Sequence, residues 1–225
     1  EHTLLDGYPK DNYIRTTFYQ DYTNTDFVGQ ILPVVEGDKV TYKFNPGPFT
    51  LALEQAIRKP NERIALVIEE LNRGSAASIF GDIFQLLDRK EGVSEYGITN
   101  VNIINYLKEK FEGVYTFKEI RLPGNLSIYA TMNTSDQNVF TLDTAFQRRW
   151  DMRHVPNRFT DKHAEDMIEG SAINWGAFAM VVNDLVIEVN TEMTGSGDKR
   201  LGAYFAKLNE LKAEIFSEKV LKYLW

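Results

Sequence analysis

Apolar residues recur along this chain in two rhythms. The run Ile64-Ala65-Leu66-Val67-Ile68 is unbroken, which predicts a short strand buried on both faces in the middle of a parallel sheet. Leu126-Ser127-Ile128-Tyr129-Ala130-Thr131-Met132 predicts a second strand, and the β-branched and aromatic stretch Ile14-Arg15-Thr16-Thr17-Phe18-Tyr19 a third. Val34-Val35 and Val40-Thr41-Tyr42-Lys43-Phe44 flank a Gly-containing turn, which predicts a hairpin over 31–45. Helical spacing appears at Leu51, Leu53, Ala56 and Ile57, closed by Lys59-Pro60. It returns at Ile79, Phe80, Ile83, Phe84, Leu86 and Leu87, with Ser75 as the N-cap. Residues 90–120 read as an insertion holding a helix through Val101, Ile103, Ile104, Leu107 and Phe111. A helical turn or two over Thr141 to Phe146 would set Arg148 and Arg149 at its end, and Asp151 to Val155 reads as a last sheet strand closed by Pro156. Beyond residue 160 the spacing is helical. Ala177, Met180, Val181, Leu185 and Ile187 mark one helix, and Leu208, Leu211, Ile215, Val220 and Leu221 mark others. These elements predict an α/β core over 1–156 and a helical subdomain over 157–225.

The segments just after the strands carry the chemistry. The central run ends in Glu69-Glu70, then Leu71-Asn72-Arg73-Gly74. Ligands of open α/β sheets bind outside the carboxyl ends of the strands. Adjacent acids at such an edge repel each other unless a cation or hydrogen-bond donors offset their charge. Two solvated loop acids would look the same in isolation. The second strand ends in Asn133, followed by Thr134-Ser135-Asp136-Gln137, and Leu142-Asp143-Thr144-Ala145-Phe146-Gln147-Arg148-Arg149-Trp150 comes after it.

Taken together, the acidic pair with Leu-Asn-Arg, the Met-Asn-Thr-Ser-Asp stretch and the Asp-x-Ala-x-x-Arg-Arg-Trp element resemble the AAA+ nucleotide-driven motors. The likeness is to the subgroup containing McrB, the GTP-using motor of methylation-dependent restriction. It spans about residues 14–205 and is strongest at 64–89 and 126–150. It implies a three-layer P-loop NTPase-like core with a parallel sheet and a helical lid. Glu69 then matches the carboxylate that supports Mg2+, where the family normally has aspartate. Glu70 matches the general base that orients the attacking water. Asn133 matches the sensor of that water or of the terminal phosphate. Asp136 either contacts the nucleotide or caps the next turn. Arg148 and Arg149 match the pair from which an arginine finger is drawn, or else form a basic helix end. Arg200 matches the lid arginine that reads the nucleotide. Asn72 and Arg73 are read as structural or subunit-bridging. The resemblance further implies GTP or ATP as substrate, a homo-oligomeric, hexameric ring in the parent protein, a nuclease partner and DNA contact through that parent. A MoxR-type ATP-driven chaperone and a non-hydrolysing assembly module are the other readings.

Composition narrows this only slightly. The 225 residues carry a net charge of −7, which argues against a broadly basic nucleic-acid-coating surface. There is no cysteine, which removes disulfides and cysteine–zinc sites and fits a cytoplasmic protein. No apolar run approaches the roughly 18 residues that cross a bilayer, and no membrane association is expected. One motif is missing. Gly-x-x-x-x-Gly-Lys-Ser/Thr, the Walker A loop whose amides and lysine cradle phosphates, does not occur. The surviving nucleotide-facing elements favour a piece of a longer motor over a degenerate relative. On that expectation the parent is an NTPase, and these residues alone neither bind nucleotide well nor turn it over.

Overall fold

The computed structural model describes residues 5–133, 139–190 and 200–225. The chain divides into two compact units, the first reaching Asp151 and the second running from Met152 to Trp225.

In the first unit, β1 (Tyr13–Thr17) is followed by α1 (Asn24–Val28), the strands β2 (Gly29–Glu36) and β3 (Lys39–Pro46), α2 (Pro48–Arg58) and β4 (Ile64–Glu69). Then come α3 (Ala76–Phe80), the short strands β5 (Arg89–Lys90) and β6 (Val93–Ser94), α4 (Val101–Lys110), β7 (Leu126–Ala130) and α5 (Thr144–Gln147). β1, β4 and β7 form a parallel sheet with β4 in the middle. Its register sets Thr17 beside Glu69 and Ile68 beside Ala130.

The two faces of the sheet are covered differently. Ile64, Leu66 and Ile68 point into the main core with Phe49, Ala52, Leu53 and Ala56 of α2 and Ile103 and Leu107 of α4. Each such large side chain is worth about 1.5–3 kcal/mol when fully buried. Ala65 and Val67, on the opposite face, lie against Tyr8, Leu5, Tyr13 and Tyr129. Alternation along an extended strand assigns the two sets, and the unbroken apolar run satisfies both. An aromatic cluster joins the segments after β1 and α3. Ring centroids are 5.4 Å apart for Phe18–Phe27, 5.0 Å for Phe27–Phe80 and 5.3 Å for Phe80–Phe146.

Several elements depart from the sequence expectation. No strand forms at Asp151 to Val155. The segment pairs with none of the described strands, and its apolar Val155 and Met152 stay 83% and 55% exposed. The helix after Ser75 is one short α segment, broken at Gly81 (φ 52°), with a 3-10 stretch over Gly81–Leu87. Asn24 Nδ2 donates to the Ile79 carbonyl at 2.8 Å and so answers an acceptor at the break. Ser75 holds the N-cap position, but its hydroxyl donates to Ser78 Oγ and accepts from no backbone amide. α4, read as part of an insertion, is core-forming: Ile103, Ile104 and Leu107 are buried, and Asn100 Oδ1 caps it by accepting from the Ile103 amide. The hairpin is present, slightly longer than predicted.

The second unit is built on α6 (Trp175–Asn190), with α7 (Ala213–Phe216) and α8 (Lys222–Leu224) near its end. Trp175, Ala179, Leu201, Ala206, Leu211, Phe216 and Val220 make its core. The Trp175 indole N–H donates to the Ala203 carbonyl at 2.7 Å. The stripe predicted to mark this helix is its outer face: Met180, Val181, Leu185 and Ile187 are exposed. A helix apolar on both sides leaves periodicity unable to say which side turns inward, and here the bulky indole decides. Among the described residues no helix is long and apolar enough to cross a membrane.

His163 is held between two acceptors, Asp166 Oδ2 facing Nδ1 and the Ala206 carbonyl facing Nε2, each at 2.6 Å. Burial pulls the imidazole pKa down, but the Asp166 hydrogen bond and charge with the Ala206 bond outweigh it, and the net shift is upward. Only the doubly protonated ring can donate to both partners. Its contribution to stability is therefore fully present below the ordinary value of 6.5 and is lost as pH rises through the raised folded value. Thermal melts of the wild type against His163→Gln, taken from below to above neutral pH, should show the difference between them shrink as pH rises. A difference that is constant or grows with pH contradicts this assignment.

Candidate functional site

The sheet delivers its chemistry at one edge. Because β4 and β7 are parallel neighbours, the residues after their last positions emerge on the same side. Backbone bonds extend the ladder past the strands. The Thr131 amide donates to the Ile68 carbonyl at 2.9 Å, and the Leu71 amide donates to the Thr131 carbonyl at 2.8 Å. Glu69 at the end of β4, Glu70 just after it and Asn133 beyond the end of β7 therefore stand at one rim.

Glu69 is the last residue of β4 and shares the sheet face of Arg15 and Thr17. The Arg15 guanidinium donates to Glu69 Oε1, and the Thr17 hydroxyl donates to Oε2 at 3.3 Å. Sequence reasoning misses Arg15. A charged residue alternating with Tyr13 and Thr17 on a strand is the available signal, but only the strand order puts it beside Glu69.

Glu70 sits in the left-handed region, φ 56° and ψ 46°. That conformation costs a non-glycine residue of order 1–3 kcal/mol and persists only where surroundings impose it. Here the Leu71 and Arg73 amides are both engaged, the latter with the Glu70 carbonyl at 2.9 Å. The reversal turns the Glu70 side chain away from the strand, and Arg73 Nε approaches its Oε2 at 3.4 Å in a pair that is half exposed. Gly74 closes the turn. A Cβ there would lie 2.7 Å from Ile79 Cδ1 and 3.0 Å from the Tyr19 carbonyl, so these segments approach most closely with glycine at the turn.

Asn72 is buried, which rules out the subunit-bridging alternative for its side chain. Its Nδ2 donates to the Asn133 carbonyl at 2.8 Å, and its own carbonyl accepts from the Phe140 amide at 2.7 Å. Its Oδ1 has no hydrogen-bond partner among the described residues, at a cost of about 1–3 kcal/mol.

The two arginines separate. Arg149 is committed within its own chain: Nη2 donates to Asp88 Oδ2 at 2.6 Å, Nη1 to the Ala145 carbonyl at 2.7 Å, and the guanidinium lies 4.0 Å from the Phe84 ring centroid. Its side chain is 10% exposed. Arg148, at the C-terminal end of α5, is exposed. Asp143 caps that helix by accepting from the Phe146 amide at 2.7 Å. Arg200 belongs to the second unit. It is exposed and directly precedes Leu201, whose amide donates to Asn183 Oδ1 at 2.6 Å. Asp136 lies outside the described residues.

The donor set bears on which groups the rim can take. Among the described residues no cluster of three or more His, Cys, Asp or Glu side chains forms a metal cage. Mg2+ does not need one, since it is commonly held by one or two carboxylates plus substrate phosphates and water. The Glu69 carboxylate has the donor chemistry for such a role only in company with phosphates. The sequence supplies no Gly-x-x-x-x-Gly-Lys-Ser/Thr loop to hold them.

The family model for the AAA domain (dynein-related subfamily) matches residues 3–150. The chain is 36% identical over 239 aligned positions to the type II restriction enzyme BsuMI component YdiS of Bacillus subtilis (strain 168), covering 94% of this chain and 69% of that protein. It is 23% identical over 195 positions to the type IV methyl-directed restriction enzyme EcoKMcrB subunit of Escherichia coli (strain K12), covering 84% of this chain and 39% of that one. The chain thus belongs to the AAA family, dynein-related subfamily, and is an McrB-like AAA+ nucleoside-triphosphatase of the kind found in restriction systems.

Proposed function

We propose that these residues form the hydrolytic rim of a ring-forming motor that uses GTP or ATP to drive a DNA-restriction nuclease. The observation that carries the reading is the parallel pairing of β4 with β7, which gathers Glu69, Glu70 and Asn133 at one edge. Glu69 helps hold Mg2+ against the nucleotide phosphates. Glu70 orients and deprotonates the attacking water. Asn133 hydrogen-bonds that water or the terminal phosphate. A phosphate cradle from outside these residues completes the site. The names of the two restriction relatives support a nuclease partner and work on DNA, which fits a cytoplasmic setting.

Arg148 is the arginine that reaches the neighbouring subunit's phosphates. Its exposure supports this, as does the in-chain engagement of Arg149. A delocalised guanidinium suits charge spreading over a transferred phosphoryl group. The family resemblance gives Arg200 and Asp136 nucleotide-contacting roles.

In the full-length protein, Glu70→Gln should lower hydrolysis of GTP or ATP by about 10²- to 10⁴-fold while the nucleotide dissociation constant stays within a few-fold. Turnover near the wild-type rate would remove Glu70 from this role.

The arginines should part in two assays. Arg148→Ala should lower turnover by about 10³-fold or more with an unchanged melting temperature. Arg149→Ala should cost about 1–3 kcal/mol of stability. Mixing Arg148→Ala with Glu70→Gln subunits should restore some turnover, because each supplies what the other lacks. No restoration in mixed assemblies would argue against action in trans.

A further inference from the structure

We propose that Asn72 is a positioning residue that sets Asn133 against the acidic turn, so that Glu70 and Asn133 act on the same phosphate. This rests on the hydrolytic reading of the rim. Among the described residues of the first unit, the buried polar side chains are Asn12, Thr50, Asn72 and Ser94. Asn12 uses both ends of its amide, donating to Glu62 and accepting from Lys59. Thr50 donates to the Val28 carbonyl. Ser94 donates to the Leu86 carbonyl and accepts from the Leu122 amide. Asn72 alone of these leaves an acceptor idle among the described residues. A side chain kept only to fill the core would gain from losing that oxygen.

The groups that Asn72 does engage lie on the β7 side of the rim. Its Nδ2 holds the Asn133 carbonyl and its carbonyl holds the Phe140 amide, while the preceding amide, of Leu71, holds the Thr131 carbonyl. Residues 71 and 72 thus grip the backbone at 131, 133 and 140. Glu70 is the residue before this grip, locked in its left-handed turn. The backbone of Asn133 cannot move relative to Glu70 without straining the hydrogen bond from the Asn72 side-chain amide. Asn72 itself touches no substrate in this arrangement. It acts through the place it gives Asn133.

A double-mutant cycle in the full-length protein tests this. Steady-state hydrolysis is measured for the wild type, Asn72→Ala, Asn72→Leu, Asn133→Ala and the Asn72→Ala/Asn133→Ala pair, with folding checked by circular dichroism and melting temperature. Asn72→Leu nearly keeps the shape, removes the donor and buries no charge, so it serves if the alanine variant does not fold. Both Asn72 variants should lose about ten- to a hundred-fold in kcat, with KM within about two-fold. The double variant should be no slower than Asn133→Ala, because two residues acting as one unit are not additive. Losses that multiply, or an Asn72 variant with wild-type kcat, overturn the assignment of Asn72 while leaving the rim intact. A wild type without turnover overturns the functional reading and this inference together.

Discussion

The parallel ladder between β4 and β7 is the constraint that creates the site. Parallel neighbours bring their carboxyl ends out on one side, and the ladder continues through Thr131 to Ile68 and Leu71 to Thr131 after both strands have ended. A sheet that paired these strands antiparallel would send Glu70 and Asn133 to opposite edges. The pairing is sustained by apolar burial on both faces of β4, where Ile64, Leu66 and Ile68 serve one core and Ala65 and Val67 the other. Polar chemistry at the rim depends on the hydrophobic character of the five residues before it.

The rim itself is held by local polar contacts. Arg15 and Thr17, on β1, answer the Glu69 carboxylate, so the middle strand receives support from both sides. Such a charge at a partly buried edge needs donors, and the neighbouring strand supplies them. The left-handed Glu70 and the idle oxygen of Asn72 are both unfavourable on their own. Their coincidence within three residues marks the turn as a place where local stability has been given up for geometry. At Arg149 an ion pair, a carbonyl contact and an aromatic ring hold the guanidinium within its own chain, although its Nε has no hydrogen-bond partner among the described residues.

Much of this is legible in the sequence where one rule dominates. An unbroken apolar run has one economical solution, and the acids after it announce an edge. The hairpin is equally plain, since alternation and turn chemistry agree. Other elements are hidden because the deciding contact is remote in sequence. Arg15 meets Glu69 only through strand order, and Asn72 meets Asn133 only through the ladder. Asp151 to Val155 looks like a strand by residue type, yet it pairs with none of the three strands of the parallel sheet, and Met152 and Val155 are exposed. In α6 both faces are apolar, and the inward one is set by Trp175 rather than by the stripe that periodicity selects. The pair Arg148-Arg149 cannot be resolved by spacing at all. It takes Asp88 and Phe84, about sixty residues earlier in the chain, to draw one of them inward.

The central claim is that the edge shared by β4 and β7 faces a polyphosphate. A structure of the full-length protein with Mg2+ and a non-hydrolysable nucleoside triphosphate measures this most directly. The account predicts the metal beside Glu69, directly or through water, and the terminal phosphate flanked by the side chains of Glu70 and Asn133. A nucleotide whose terminal phosphate lies away from both of these residues would contradict it.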